Sequence, residues 1–291
     1  MQFSKTELAL LLTQPKPLSL VNADLSGAEL IDADLSDATL SGANLTDADL
    51  SAADLVDADL SKSDLRRANL RSADLRRANL SKANLSNADL TGANLIGADL
   101  VDADLISARL SGTKLSDADF SKADLIMADL SKADLSHAKL IRANLRRSDL
   151  SGAKLIHANL SEANLYGVNL IGAFLGSANL SGAKLNTADL RWSNLDKTNL
   201  NKADLSGVKF ISADLSEADL SESKLNKADL NSANLTNANL TKADLTEAKL
   251  IGADFSGANL RWVNLAEAVY NRSTKFPDGF DPKAAGAILT P

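Results

Sequence analysis

Residues 43–60 read "ANLTDADLSAADLVDADL", and leucine returns at 45, 50, 55 and 60. From Val21 to Tyr270 every position divisible by five is Leu, except Phe120, Phe210, Phe255 and Tyr270. Two residues before each sits Ala, replaced at Ser63, Thr113, Ser148, Val168, Ser193, Thr198, Val208, Ser223 and Val263. Between the two comes mostly Asp or Asn. The frame holds for fifty pentapeptides without a shift.

A period of five fits neither ordinary element. Leucines five apart drift around a helix of 3.6 residues per turn and cannot share a face. In a strand, an odd spacing sends successive leucines to opposite sides. All of them point inward only if the chain turns once within each pentapeptide. Such a chain is a coil, and stacked coils form a solenoid with Leu and Ala along its axis. The other three residues of each unit face water, and the small polar residues and glycines after each Leu suit tight corners. A single coil cannot stand alone and needs its neighbours.

The A(D/N)LXX unit of residues 43–60 resembles the pentapeptide-repeat family, and the resemblance spans residues 21 to 270. It implies an all-β fold, a right-handed quadrilateral β-helix with four pentapeptides per coil. Gly92, Gly112, Gly152, Gly172 and Gly252, separated by multiples of twenty, agree with four sides. The repeat would then make about 12 coils, a rod about 60 Å long at strand spacing. The family often has no known biochemical activity, and many members come from photosynthetic bacteria. Some members bind DNA gyrase as mimics of duplex DNA.

The flanks differ from the repeat. Residues 1–17, with "FSKTELALLLTQPKP", predict a short helix. Ser4 and Glu7 form a capping box, Phe3 and Leu8 a hydrophobic staple, and Pro15 and Pro17 the stop. Leu8, Leu11 and Leu12 share its apolar face. This helix is expected to cap the first coil of the β-helix at 18–270. A signal peptide is a poorer reading, because the apolar core is short and no small-residue cleavage site follows. The tail 271–291 brings Phe276, Phe280, Ile288 and Leu289 to close the other end. An end-to-end homodimer through the same residues is the alternative to a monomer.

Chemistry is sparse. There is no cysteine, no P-loop and no GxGxxG. No run approaches the roughly 20 apolar residues of a membrane span. Ser and Asp belong to the repeat consensus, so no catalytic residue and no cofactor is assigned, and the chain is read as a soluble cytoplasmic non-enzyme. His137 and His157, twenty residues apart, with Asp117 one coil before, are the weak candidates for a metal.

Charge is uneven. Residues 21–60 carry ten acids and no base, a net −10. Residues 61–80 carry six bases against Asp64 and Asp74, a net +4. A duplex carries one charge per ~1.7 Å, so a mimic of this length needs roughly 35 negative charges. The whole chain has −7. A DNA mimic binding gyrase or topoisomerase is therefore the alternative reading, and direct nucleic-acid binding is not expected. The favoured reading is a scaffold for an unknown protein partner. Its candidate surface is one corner followed at twenty-residue steps, with Arg66, Arg67, Ile106, Ile126, Met127, Arg146, Arg147 and Tyr166. Arg and Tyr around an apolar centre is a common composition of interface hot spots. Trp192 and Trp262, seventy residues apart, are expected on opposite faces.

Overall fold

The computed structural model describes residues 6, 7, 10 and 13–291. The chain forms two compact units, Met1–Ser148 and Asp149–Pro291. In the first, parallel one-residue bridges join each outward mid-side residue to its counterpart twenty residues on, from Ser19 with Thr39 to Asp124 with Asn144. In the second, the same register runs from Asp149 with Asn169 to Lys249 with Val269. A step of twenty in a five-residue repeat makes each coil four-sided. The sides pair through single residues because each is too short for a longer ladder.

One pentapeptide accounts for its backbone donors completely, as buried polar groups require. The Leu45 N–H donates to the Asp64 carbonyl at 2.7 Å, and the Asp64 N–H donates back to Ala43 at 2.9 Å. At the corner, the Asp47 N–H donates to Arg66 at 3.0 Å, and the Ala48 N–H closes the turn on Leu45 at 3.0 Å. The fifth donor belongs to the first corner residue. It is met by a side chain: the Ser51 N–H donates to Asp49 Oδ1 at 3.0 Å, and the Ser26 N–H to Asp24 Oδ1 at 3.1 Å. This is why Asp and Asn dominate the position, since their short oxygens reach a backbone two residues on. Asn adds a second bond, its Nδ2 donating to the Asp one coil earlier, as Asn69 does to Asp49 at 2.8 Å.

The corner conformation is uniform. Every second corner residue from Asn22 to Glu267 has positive φ, between 54° and 70°. A turn of this hand, closed by a bond from its fourth residue to its first, is type II and favours Gly or Asn there. Gly or Asn stands at only fifteen of these fifty corners, and Arg, Lys, His, Glu or Trp at twenty-one, so the ladder imposes the conformation.

The interior is Leu and Ala as the sequence predicts. The larger side chains Phe120, Val208, Phe210 and Phe255 are all inward and buried. The buried hydroxyls that replace Ala are satisfied. Ser63 Oγ donates to the Leu60 carbonyl at 2.7 Å, and Thr198 Oγ1 to the Leu175 carbonyl at 2.9 Å.

After Tyr270 the register changes. Asp254 pairs with Lys275, a step of twenty-one, and strand β1 (Val269–Tyr270) pairs in parallel with β2 (Ile288–Leu289). Phe276 stacks on Phe255 at 5.5 Å and meets Tyr270 edge-on at 5.4 Å and Phe280 at 5.6 Å. Ile288 and Leu289 remain exposed rather than closing over the interior. At the other end, Thr6, Glu7 and Leu10 are helical. The capping box at Ser4, the Phe3–Leu8 staple, and Leu11 and Leu12 of the apolar face lie outside the described residues.

Candidate interaction surface

In the first unit, the corner ladder stacks the candidate residues one coil apart. The Asp47 N–H meets Arg66, the Arg67 N–H meets Ser86, the Asn87 N–H meets Ile106, the Ser107 N–H meets Ile126, and the Met127 N–H meets Arg146 at 3.0 Å. Arg66, Arg67, Ile106, Ile126, Met127, Arg146 and Arg147 thus form one column. Ile106 and Ile126 are half-buried against their neighbours, and Met127, 55% exposed, is the prominent apolar side chain. Tyr166 belongs to the second unit, where its side chain is exposed.

The arginines that stand out in the sequence are engaged with acids. Arg67 makes two bonds to the Asp47 carboxylate one coil back, at 2.7 and 2.6 Å. Arg77 does the same to Asp57. Arg66 and Arg76 pair with Asp64 and Asp74 beside them in sequence, and Arg71 reaches Asp89 at 3.2 Å. The hydrogen bonds from Arg67 and Arg77 hold the Asp47 and Asp57 carboxyls below the usual carboxylate range. Partial burial pushes Asp74 up, and the Arg76 bonds outweigh it. The band around residues 66–77 thus covers Asp47 and Asp57 of the acidic coils before it, and its other arginines pair with Asp64, Asp74 and Asp89.

Asp117 and His137 share a column in the first unit, where the Asp117 N–H donates to the Ser136 carbonyl at 3.1 Å. His157 is in the second unit. Among the described residues, no three His, Cys, Asp or Glu side chains are grouped to hold a metal ion. Trp192 and Trp262, both in the second unit, are 61% and 74% exposed. Their corner columns differ by half a coil in the twenty-residue register, which puts them on opposite sides as expected. Arg191 lies over the Trp192 ring at 5.4 Å. No helix among the described residues is long and apolar enough to cross a membrane.

Three outward residues that the corner reading passes over also come together. Phe174, Gly176 and Asp196 line a notch of about 220 Å³ in the second unit with Ile156, Ser177 and Asn194. A signal existed in the sequence. Phe174 is an aromatic in the Asp/Asn column, Gly176 is a glycine at the first corner position, and Asp196, twenty residues later, is an acid at that same position.

The register and the inward Leu and Ala columns define a four-sided β-solenoid built from five-residue units. The family model for pentapeptide repeats matches in overlapping segments from residues 19–55 through 228–266, and the chain belongs to the pentapeptide-repeat family. Its members fold as right-handed quadrilateral β-helices. Among solved structures, the chain is similar to HetL, a pentapeptide repeat protein involved in heterocyst differentiation regulation in Nostoc sp. strain PCC 7120. Identity is 35%, over 87% of this chain and 92% of that one, with a TM-score of 0.27. It is also similar to Rfr23 of the cyanobacterium Cyanothece 51142, at 35% identity over 32% of this chain and a TM-score of 0.32, and it spans only 63% of that protein. QnrB1, a plasmid-mediated fluoroquinolone resistance protein, matches at 18% identity over 73% of this chain and 89% of its own, with a TM-score of 0.47. No curated protein matches the sequence.

Proposed function

We propose that the chain is a non-enzymatic interaction module that presents a regular surface to a protein partner. The observation that carries this reading is the corner column of the first unit, where Met127 stands exposed between arginine pairs on a hydrogen-bonded ladder. A ladder of this kind holds side chains at fixed spacing without ordering cost at binding, which favours affinity. Residues 1–17 and 271–291 serve as end caps of the repeat. The Phe276 cluster against Phe255 and Tyr270 supports the second assignment.

The duplex-mimic reading is the weaker one. A mimic must leave its acids bare, whereas Asp47 and Asp57 are covered by Arg67 and Arg77. The test is capture of partners from the source cells with the parent and with an Ile126→Ser, Arg146→Ser double variant. The double variant should keep the parent's circular dichroism and lose the partner. Equal retention of the same partner by both would remove the corner from the reading. Inhibition of gyrase supercoiling by the purified chain would favour the mimic instead.

A further inference from the structure

The notch in the second unit combines features that no other part of the repeat prepares. Phe174 stands where neighbouring coils carry Lys154 and Asn194, and its ring is 47% exposed. Replacing Asp or Asn with Phe removes the side-chain oxygen that would accept the next corner's first N–H. Among the described residues the Gly176 N–H consequently has no acceptor. Gly176 leaves a gap at the corner: a Cβ there would lie 2.8 Å from Asp196 Oδ1. Asp196, one coil on, is half-buried over that gap, and its carboxylate makes no ion pair or hydrogen bond among the described residues. Lys197, next to it, faces Glu217 at 3.9 Å. Ile156 closes the far side with an exposed aliphatic surface. The nearby cations are Lys154 beneath Phe174, and Lys197.

An aromatic face beside an unpaired carboxylate recognises a planar cation. A guanidinium can stack on the ring and pair with the carboxylate together, which a compact ammonium does less well. The same chain already places Arg191 over Trp192. The volume, about 220 Å³, is below the ~300–1,000 Å³ of pockets that hold whole small molecules, and suits one side chain. The free Gly176 N–H is a donor for a carbonyl next to that side chain.

We propose that this notch receives a single arginine side chain of a protein partner, stacked on Phe174 and paired with Asp196. The proposal rests on the reading of the chain as an interaction module, but on none of the residues of the first unit.

The probe is N-acetyl-arginine N-methylamide, titrated into the full chain and followed by NMR at the Gly176 amide and the Phe174 ring. The parent should show saturable shifts in the millimolar range. The neutral citrulline analogue should show none. Phe174→Asn, Gly176→Ser and Asp196→Asn each install a residue found at the same position in other coils, so the fold is expected to hold by circular dichroism. Each should weaken the arginine probe at least about fivefold, roughly 1 kcal/mol. The Ile126→Ser, Arg146→Ser variant should bind the probe like the parent, which separates this site from the first-unit corner. Citrulline binding as well as arginine, no saturable shift, or undiminished binding by folded Phe174→Asn and Asp196→Asn variants would overturn the assignment. Concentration-dependent self-association abolished by Asp196→Asn would also overturn it, because the occupant would then be a second copy.

Discussion

Thr187 offers the sharpest test of the corner geometry. It is an exposed second corner residue with a φ of 60°. Its neighbours in the column, Gly167 and Gly207, have φ of 63° and 66°. The left-handed conformation costs a residue with a Cβ roughly 1–2 kcal/mol, and β-branching makes it worse. Glycine removes that strain but loses about 0.5–1 kcal/mol more backbone entropy on folding. Thr187→Gly should therefore stabilise the chain by about 0.5–1 kcal/mol. Thr187→Asn should gain a similar amount, because Asn tolerates the conformation without the entropy loss. The reverse series starts from Gly172, φ 64°, where an added Cβ meets nothing within 4 Å. Space is then not the issue, and Gly172→Thr should cost about 1 kcal/mol or more while Gly172→Asn stays near neutral. The assay is thermal unfolding of the four variants beside the parent, with about 2–4 °C expected per kcal/mol. Midpoints are compared rather than extrapolated free energies, since long repeat arrays depart from two-state behaviour. Destabilisation of the chain by Thr187→Gly, or equal effects of Thr and Asn at 172, would refute the argument that the ladder holds strained corners.

Phe210→Ala, at a fully buried ring beside buried Val208, should cost about 3–5 kcal/mol. Hydrogen exchange should show the loss first at the Leu190 and Phe210 amides, which bond Lys209 and Asp229, and uniform loss across the unit would contradict nearest-neighbour stacking. The Asp254 carboxyl is lowered to about 2, chiefly by the Lys275 ammonium bonding it at 2.7 Å and then by Ser256. A folded value below the unfolded one stabilises the tail contact above about pH 4, and that contribution is lost as pH falls through about 2. Tail proteolysis should rise over that window in the parent and be flat in Asp254→Asn; equal acid sensitivity of both would rule the pair out as the cause.

The interior was legible because burial and sequence report the same thing. A Leu or Ala that always points inward must recur at the period of the chain's turning, and the replacements Phe120 and Phe210 keep to it. The twenty-residue step showed only through the spacing of a few glycines, and the pairing of Asp24 with Asn44 makes it explicit. The positive φ of the corners was not legible. Arg67, Lys122 and Trp192 carry no local preference for that conformation, and it is the interior and the ladder on either side that impose it. The Asp/Asn column read as solvated surface, because a hydrogen bond from a side chain to a backbone two residues away leaves no periodicity of its own. In the structure those carboxylates and amides are part of the backbone accounting.

The same accounting decides which surface residues are free to recognise something. A side chain on this fold has fixed neighbours twenty residues before and after it, so its charge cannot be read from the adjacent sequence alone. Arg67 looks available beside Arg66, yet its partner is Asp47; Arg77 likewise is held by Asp57. The conspicuous arginines of the first unit's early coils are satisfied by acids, and an exposed pair contributes little to stability but does cancel the local field. On the proposed reading, recognition falls to departures from the consensus that their column does not absorb. Met127 is one, an apolar side chain left outward where polar residues prevail. Phe174 and Asp196 are two more, since the first deletes an acceptor the corner needs and the second carries a charge with no ion-pair partner among the described residues. On the proposed reading a partner recognises those exceptions, because columns such as Asp47–Arg67 and Asp57–Arg77 present groups already bound to one another.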